Sequence, residues 1–364
     1  MSPESPRRRS VKGVKPAMRV RLRDIAEKTG FSINTVSLAL KGSPLVREET
    51  RRRIVEAAKE LNYVPNNIAR SLVQRKTHTI GVILTDIMNP ILTGVAQHIE
   101  RELMGHGYNI ILMTTYNDPA HEAHAIDVLR SRQVDGILMY PVSGENAEKV
   151  ADLAEAGFPL VLLAGGDESP QCNVISVDDS GGAYRATSHL VRLGHRRIAF
   201  INGGGIRGNE EKLRGYRRAL AEAGISLDPA LIVEPSGIGY SDGYHAARHL
   251  FQHKEPPTAV FASTDSLALG LMYWCFQQGL KVPEDVAIVG FDDIEAARFA
   301  AVPLTSVAYA VEVVASKAAA RLLQLIDEAD EAQSSEPVRE VIEPRLIVRE
   351  SCGARRMGVA SINA

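Results

Sequence analysis

Cysteine is scarce in this chain: Cys172, Cys275 and Cys352 are the only three in 364 residues, far apart and odd in number. Such spacing excludes a disulfide framework or a zinc knuckle and fits a reducing compartment. Each of the three reads as a small buried apolar residue. Long apolar runs are missing too, since none approaches the roughly 18 residues that cross a bilayer. The first residues, MSPESPRRRSVKGVK, contain no apolar stretch of the kind a secretory signal needs. The expected location is therefore the cytoplasm, with no membrane partner. Aromatic residues make up only 5% of the chain, but 45% of it is apolar, enough for a large and mostly aliphatic core. A length of 364 residues fits two or three domains.

Net charge is also small, at −2, but it hides a division. Up to Lys76 there are 18 basic residues against 7 acidic ones, and after it 24 against 37. A basic arm joined to an acidic body is the electrostatic footprint of a nucleic-acid-binding domain attached to a separate module. For residues 1–18 the charge fits a solvated basic tail.

The basic arm holds a recognisable pattern in RLRDIAEKTGFSINTVSLALKGSPLV, residues 21–46. Leu22, Ile25 and Ala26 fall at helical spacing, and Gly30 stops that helix. Ser32 is a suitable cap for a second helix from Ile33 to Leu40. Two helices joined by a tight glycine-containing turn form the unit that lays its second helix in a DNA major groove. The same pattern also describes a plain helical hairpin. In REETRRRIVEAAKELNYVP, Ile54, Val55, Ala58 and Leu61 predict a third helix, which Pro65 ends. The stretch NNIARSLVQRKTH then fades into a basic linker, and a domain boundary is expected near His78.

From Thr79 the texture changes. Strands are predicted at 79–86, 108–115, 135–141, 158–165, 195–203, 257–264 and 285–293. Helices are predicted near 90–105, 120–132, 145–156, 180–193, 209–223, 242–253, 265–279 and 310–328. Apolar strands joined by helical crossovers make parallel sheets covered on both faces. Such sheets bind ligands outside the carboxyl ends of their strands. The polar residues Asp86, Thr114, Thr264, Asp265, Asp292 and Asp293 stand at those ends. Singly each is a helix cap; jointly they favour a cleft.

The head sequence, followed in order by TIGVILTDIMNP, RQVDGILMYP, LGHRRIAFING, AVFASTDSLALG and VPEDVAIVGFDD, resembles the LacI/GalR family of bacterial transcriptional regulators over roughly residues 20–351. The resemblance implies an all-α helix-turn-helix head and an α/β core of two parallel-sheet lobes, like that of periplasmic sugar-binding proteins. The corresponding expected divisions are a tail at 1–18, the head at 20–64, a hinge helix and linker at 65–78, the effector-binding and dimerisation core at 79–352, and a tail at 353–364. It also implies a homodimeric repressor, not an enzyme, without cofactor or metal. Its partners would be a near-palindromic double-stranded operator and a small-molecule effector, with a sugar or sugar derivative as the expected class.

At the DNA end, the resemblance assigns sequence choice to the first positions of the recognition helix, Ile33 and Asn34. Asparagine can pair with N6 and N7 of adenine, and isoleucine can meet a thymine methyl. Leu38 stands where the family commonly has arginine, so a half-site less dependent on guanine is expected. Ser32, Thr35, Ser37, Lys41 and Arg51 suit phosphates, which position a head without reading bases. Leu72 in ARSLVQ matches the leucine that the family wedges into the minor groove. Asn66, Ala69 and Arg70 are expected to contact DNA beside it.

In the core, the resemblance places Ile91, Leu92, Lys212, Thr264, Asp265 and Asp292 around the effector. Lys212 replaces a usual arginine, Thr264 a usual asparagine, Ala164 a common acid, and Ile91 and Leu92 common aromatics. A simple hexose is therefore a poor expectation. Three other readings compete, one of them a structural nucleoid-type protein that binds DNA with little sequence preference. Gly203-x-Gly205-x-x-Gly208 has the form of a dinucleotide-binding loop, with Glu234 as ribose acid and His195 and Lys212 as candidate catalytic groups of an oxidoreductase. The core alone also fits a stand-alone small-molecule-binding protein.

Overall fold

A computed structural model describes residues 20–64, 76–165, 170–204, 208–331 and 335–354. The tail at 1–18, the hinge residues Asn66, Ala69, Arg70 and Leu72, Gly205 and most of the C-terminal tail lie outside these. The chain forms two compact units, residues 1–75 and 76–364.

Three helices build the first unit: α1 (Leu22–Thr29), α2 (Ile33–Leu40) and α3 (Glu48–Glu60). The Asp24 carboxylate accepts the Arg21 amide at 2.7 Å and fixes the first turn of α1. Gly30 ends that helix in the left-handed region, at φ 76°, where other residues are strained. Ser32 Oγ accepts the Thr35 amide at 3.1 Å and starts α2. Ile25, Val36 and Ile54, one from each helix, are fully buried at the centre. Ala26, Ala39, Val46, Ala57 and Ala58 complete a small core.

The second unit has two lobes. One sheet has the order β11-β5-β4-β3-β1-β2, all parallel. Its strands are β1 (Thr79–Leu84), β2 (Asn109–Thr114), β3 (Gly136–Met139), β4 (Leu160–Leu162), β5 (Asn173–Val177) and β11 (Arg339–Ile342). The other sheet has the order β12-β10-β9-β8-β6-β7, parallel except for β12. It comprises β6 (Ile198–Ile201), β7 (Ile232–Val233), β8 (Ala259–Ala262), β9 (Ala287–Asp292), β10 (Thr305–Ala308) and β12 (Arg345–Ile347). Residues of β3, β6 and β8 are buried throughout, as expected for strands covered on both faces.

The chain passes between the lobes three times: after β5, after β10, and between β11 and β12. The first crossing delivers helix Asp179–Arg192 to the second lobe, where Ala183, Ala186 and Leu190 join Phe200 and Phe261 in the core. The second delivers helix Val311–Asp330 back to the first lobe, where Val314, Ala318, Leu322 and Ile326 pack with Ile80 and Leu138. The sequence-predicted strands and helices of the core all have counterparts here. The helix predicted at 145–156 is divided, a 3₁₀ turn at Gly144–Asn146 preceding Ala147–Glu155.

Close approach, not only apolar burial, sets the second lobe. Helices Tyr240–Leu250 and Asp265–Gln277 cross with glycine on both sides. A Cβ on Gly243 would lie 2.0 Å from the Leu267 carbonyl oxygen, and one on Gly270 1.9 Å from that of Tyr240. Neither backbone has a flexible side chain that yields. Gly243→Ala is therefore expected to destabilise the core by about 1–3 kcal/mol, the usual cost of overpacking. A lower urea midpoint with an unchanged slope is the predicted result.

Candidate functional site

The head exposes one face of α2. Ser32 and Asn34 are exposed and Ile33 is 50% accessible, while Val36 and Ala39 are buried. Ile33, Ser37 and Lys41 follow one another at four-residue spacing, so they lie along one side, with Asn34 beside them. Thr35 is half-buried and shares a 2.8 Å hydrogen bond with Ser32 Oγ, so both take part in the cap. Leu38 is half-buried and packs on the head core, which gives a physical role to the residue in the usual arginine position. Arg51 is used internally: Nη2 donates to the carbonyls of Ser43 (2.8 Å) and Val46 (3.3 Å), and Nη1 meets Glu48 at 3.0 Å. It holds the loop after α2 and has less freedom for phosphate than the sequence implied. Arg47 and Arg52 are exposed cations on the same unit that the sequence reading passed over.

In the second unit a cleft opens between the lobes at the carboxyl ends of the strands. Ile91, Leu92, Lys212, Thr264 and Asp292 line it, and so does Ala164. Asp265 does not. It is fully buried, and its carboxylate accepts the Ile294 amide (2.9 Å) and the Ser306 hydroxyl (2.6 Å). Its neighbour Thr264 faces the cleft because the two side chains at a helix start diverge.

Other lining groups had no local signal in the sequence: Asp179, Asn209, Tyr140 and Tyr309. They come from both lobes and meet only through the crossings. Lys212 is the centre of the charged part. Its Nζ donates to the Ser263 carbonyl at 3.0 Å, lies 3.7 Å from Asp179 Oδ1, and sits 4.1 Å from the centre of the Phe291 ring. The hydroxyls of Tyr140 and Tyr309 share a hydrogen bond of 2.8 Å. Asp292 ends β9 with φ 120°, and Asp293 follows at φ 57°. Two successive non-glycine residues in that region store backbone strain, a common feature of ligand clamps.

Burial dominates the proton chemistry of the cleft. It raises Asp179 to about 6 although Lys212 opposes the shift. It raises Asp292 to about 7, again against Lys212 and helped by the charge of Asp179. The Tyr140 and Tyr309 hydroxyls are pushed up by the same cause.

The described ends of the glycine-rich loop are engaged by protein groups. The Gly203 amide donates to Ser263 Oγ (3.0 Å) and the Gly204 amide to the Pro235 carbonyl (3.1 Å). A Cβ on Gly203 would lie 2.2 Å from Ile238, and one on Gly208 2.6 Å from an Asp179 oxygen. These glycines make room for protein, and a carboxylate already stands at the start of helix Asn209–Glu222. Glu234 accepts from the Asn202 side chain, Nδ2 to Oε1, at 3.2 Å. His195 precedes β6, at the opposite end from the cleft, paired with Thr258 at 3.0 Å. The oxidoreductase reading thus finds Gly203 and Gly208 packed against protein and its two catalytic candidates, His195 and Lys212, apart. Among the described residues no group of three or more His, Cys, Asp or Glu is arranged to hold a metal, and no helix is long and apolar enough to cross a membrane. Cys172, Cys275 and Cys352 are free thiols, all buried.

Asp179 and Asp292 hold their protons more tightly in the folded core than in the unfolded chain. Their contribution to stability is present below their ordinary value of 3.8 and is lost as pH rises through about 6 to 7. The Asp179→Asn, Asp292→Asn double variant should therefore show a flatter fall in unfolding free energy between pH 4 and pH 7.5 than the parent. Parallel profiles in urea titrations at several pH values would contradict this.

The profile of bacterial regulatory proteins, lacI family, matches residues 21–66, and that of the periplasmic binding protein-like domain matches residues 187–352. The chain is 35% identical to catabolite control protein A of Priestia megaterium over 293 residues, 80% of this chain and 87% of that one. It is 34% identical to the ribose operon repressor of Haemophilus influenzae over 331 residues, 91% and 98% of the two chains. Among solved structures, the lac repressor dimer bound to operator and the anti-inducer ONPF shares a TM-score of 0.81 at 26% identity, over 92% of this chain and 99% of that one. The transcriptional regulator CelR in complex with cellobiose gives 0.68 at 32% identity, over 92% and 100%. A three-helix head with one polar exposed face, a cleft between two parallel-sheet lobes, and these likenesses over nearly the whole chain lead to one conclusion: the protein belongs to the lacI family of bacterial regulatory proteins, which are DNA-binding transcriptional regulators and not enzymes.

Proposed function

We propose that this regulator represses transcription as a cytoplasmic homodimer on a near-palindromic operator, and that a sugar-like effector in the lobe cleft alters its grip on DNA. The observation that carries the reading is the joining, in one chain, of a lacI-type head with an exposed Ile33–Asn34 face and a ligand cleft of the periplasmic-binding type. The head argues against a stand-alone binding protein. Two-fold symmetry of the dimer would pair two heads with two half-sites.

In this reading Ile33 and Asn34 meet base edges, and Ser32, Thr35, Ser37 and Lys41 hold the backbone. Arg51 supports the loop that carries Lys41. Leu38 packs inward, so guanine recognition at that position is absent. Leu72 enters the minor groove with Asn66, Ala69 and Arg70 beside it. Its unstacking cost is offset by the contacts of a bent duplex. In the cleft, Asp292 receives hydrogen bonds from the effector, while Ile91 and Leu92 supply an apolar wall.

Two substitutions test the DNA end. Asn34→Ala should cost about 1–3 kcal/mol per half-site on the preferred operator and relax selectivity at a single base pair. Leu72→Ala should weaken operator binding severely and leave ligand binding to the core intact. Titrations against operator variants at fixed salt provide the check. Uniform weakening by Asn34→Ala on every sequence, or unchanged affinity in Leu72→Ala, would sink the respective assignment.

A further inference from the structure

The donors and acceptors that line the cleft are unequal. A lysine ammonium has three N–H donors; Lys212 Nζ donates to the Ser263 carbonyl at 3.0 Å and lies 3.7 Å from Asp179 Oδ1 and 4.1 Å from the Phe291 ring centre. Thr264 is equally committed. Its hydroxyl donates to the Ile238 carbonyl and accepts the Leu267 amide, both at 3.3 Å. The Asn209 amide donates to the Gly203 carbonyl. Lys212, Thr264 and Asn209 thus have donors already engaged within the protein.

Asp292 is the main open acceptor. Among the described residues no cationic side chain pairs with its carboxylate, and the supporting group is the backbone amide of Asp265, at the start of helix Asp265–Gln277. Lys212 is the cation facing it, and that charge is shared with Asp179. Among the described lining residues the charged groups are Asp179, Asp292 and Lys212, so once both carboxylates ionise, above about pH 7, these three sum to one negative charge. Burial pushes Asp265, behind Asp292, well above the usual carboxylate range and so adds no charge there, and it pushes the Tyr140 and Tyr309 hydroxyls up as well. An anionic ligand would meet uncompensated carboxylates in a recessed site, where such repulsion is poorly screened. A ligand that brings hydroxyl donors and one positive charge would balance it.

Building on the reading of this cleft as the effector site, we infer that it selects a polyol carrying an ammonium group, of the amino-sugar class, over neutral sugars, and rejects sugar phosphates and sugar acids. Asp292 receives the ammonium. Because burial raises Asp292 to about 7, binding of such a cation strengthens as pH rises and the carboxylate ionises.

The test is isothermal titration of the full chain with matched triplets: glucosamine, glucose and glucose 6-phosphate, and the corresponding galactose and mannose series. The amino member of at least one triplet should bind about tenfold or more tighter than its neutral parent, with no binding by the phosphate. Its affinity should rise between pH 5.5 and pH 7.5. Asp292→Asn should reduce the amino sugar to the level of the neutral one and flatten the pH profile, while Asp292→Glu should keep the preference. Melting curves of both variants without ligand establish that they fold. A neutral or phosphorylated sugar that binds as well as its amino counterpart would overturn the inference. So would amino-sugar binding indifferent to Asp292→Asn, or the absence of binding by every member. Operator titration separates this from the effector reading: an amino sugar that binds without changing operator affinity contradicts effector control and leaves the charge preference standing.

Discussion

The buried carboxylate of Asp265 is the constraint on which the cleft depends. One oxygen holds the Ile294 amide and the other the Ser306 hydroxyl, which in turn accepts the Asp293 amide at 3.0 Å. These bonds tie the end of β9 to β10 and hold the strained pair Asp292–Asp293 in place. Arg349, arriving from the last crossing, clamps Asp293 from the other side. The fit is tight: a side chain on Gly290 would lie 2.1 Å from an Asp265 oxygen. A polar group buried this deeply persists only when its hydrogen bonds are made. Its product is the orientation of Asp292 into the cleft.

From that point the rest of the cleft follows by topology. Parallel strands place their carboxyl ends together, and three crossings bring Asp179 and Tyr309 beside groups from both lobes. Segments that cross between lobes are also where closure must bend. Tyr309 and the left-handed Ala310 (φ 56°) lie in one of them, against the cleft. A ligand bridging Asp292 on one side and the first-lobe wall of Ile91 and Leu92 on the other would favour one lobe arrangement. Differential affinity of that kind is what any ligand-driven shift requires.

Much of this is legible in the amino-acid sequence. Strands buried on both faces read as apolar runs, so the segments around β1, β3, β6, β8 and β9 stood out, as did the helices between them. The strands β5, β10, β11 and β12 did not. NVISV and TSVA mix polar with apolar residues, and REVI lies at a sheet edge with alternating exposure. They are strands because sequence-distant partners pair with them, and that information is not local. The cleft divides in the same way. Asp292, Lys212 and Thr264 carried motif signals, while Asp179, Tyr140 and Tyr309 carried none. Asp265 shared a motif with Thr264, yet burial gives the two adjacent residues opposite tasks. In the head, the helix pattern was plain, but only packing shows that Arg51 holds a loop and Leu38 faces inward.

A DNA-reading head and a ligand cleft share one chain, and control by an effector requires that each feel the other. Effector and operator must then alter one another's affinity by a common factor. The most direct measurement is operator affinity of the full chain with the cleft empty and with it saturated by the tightest-binding sugar, repeated as ligand affinity with and without operator. A common factor of about 5- to 150-fold is predicted, the usual range of such coupling. Operator affinity that is the same with the cleft filled or empty would contradict it.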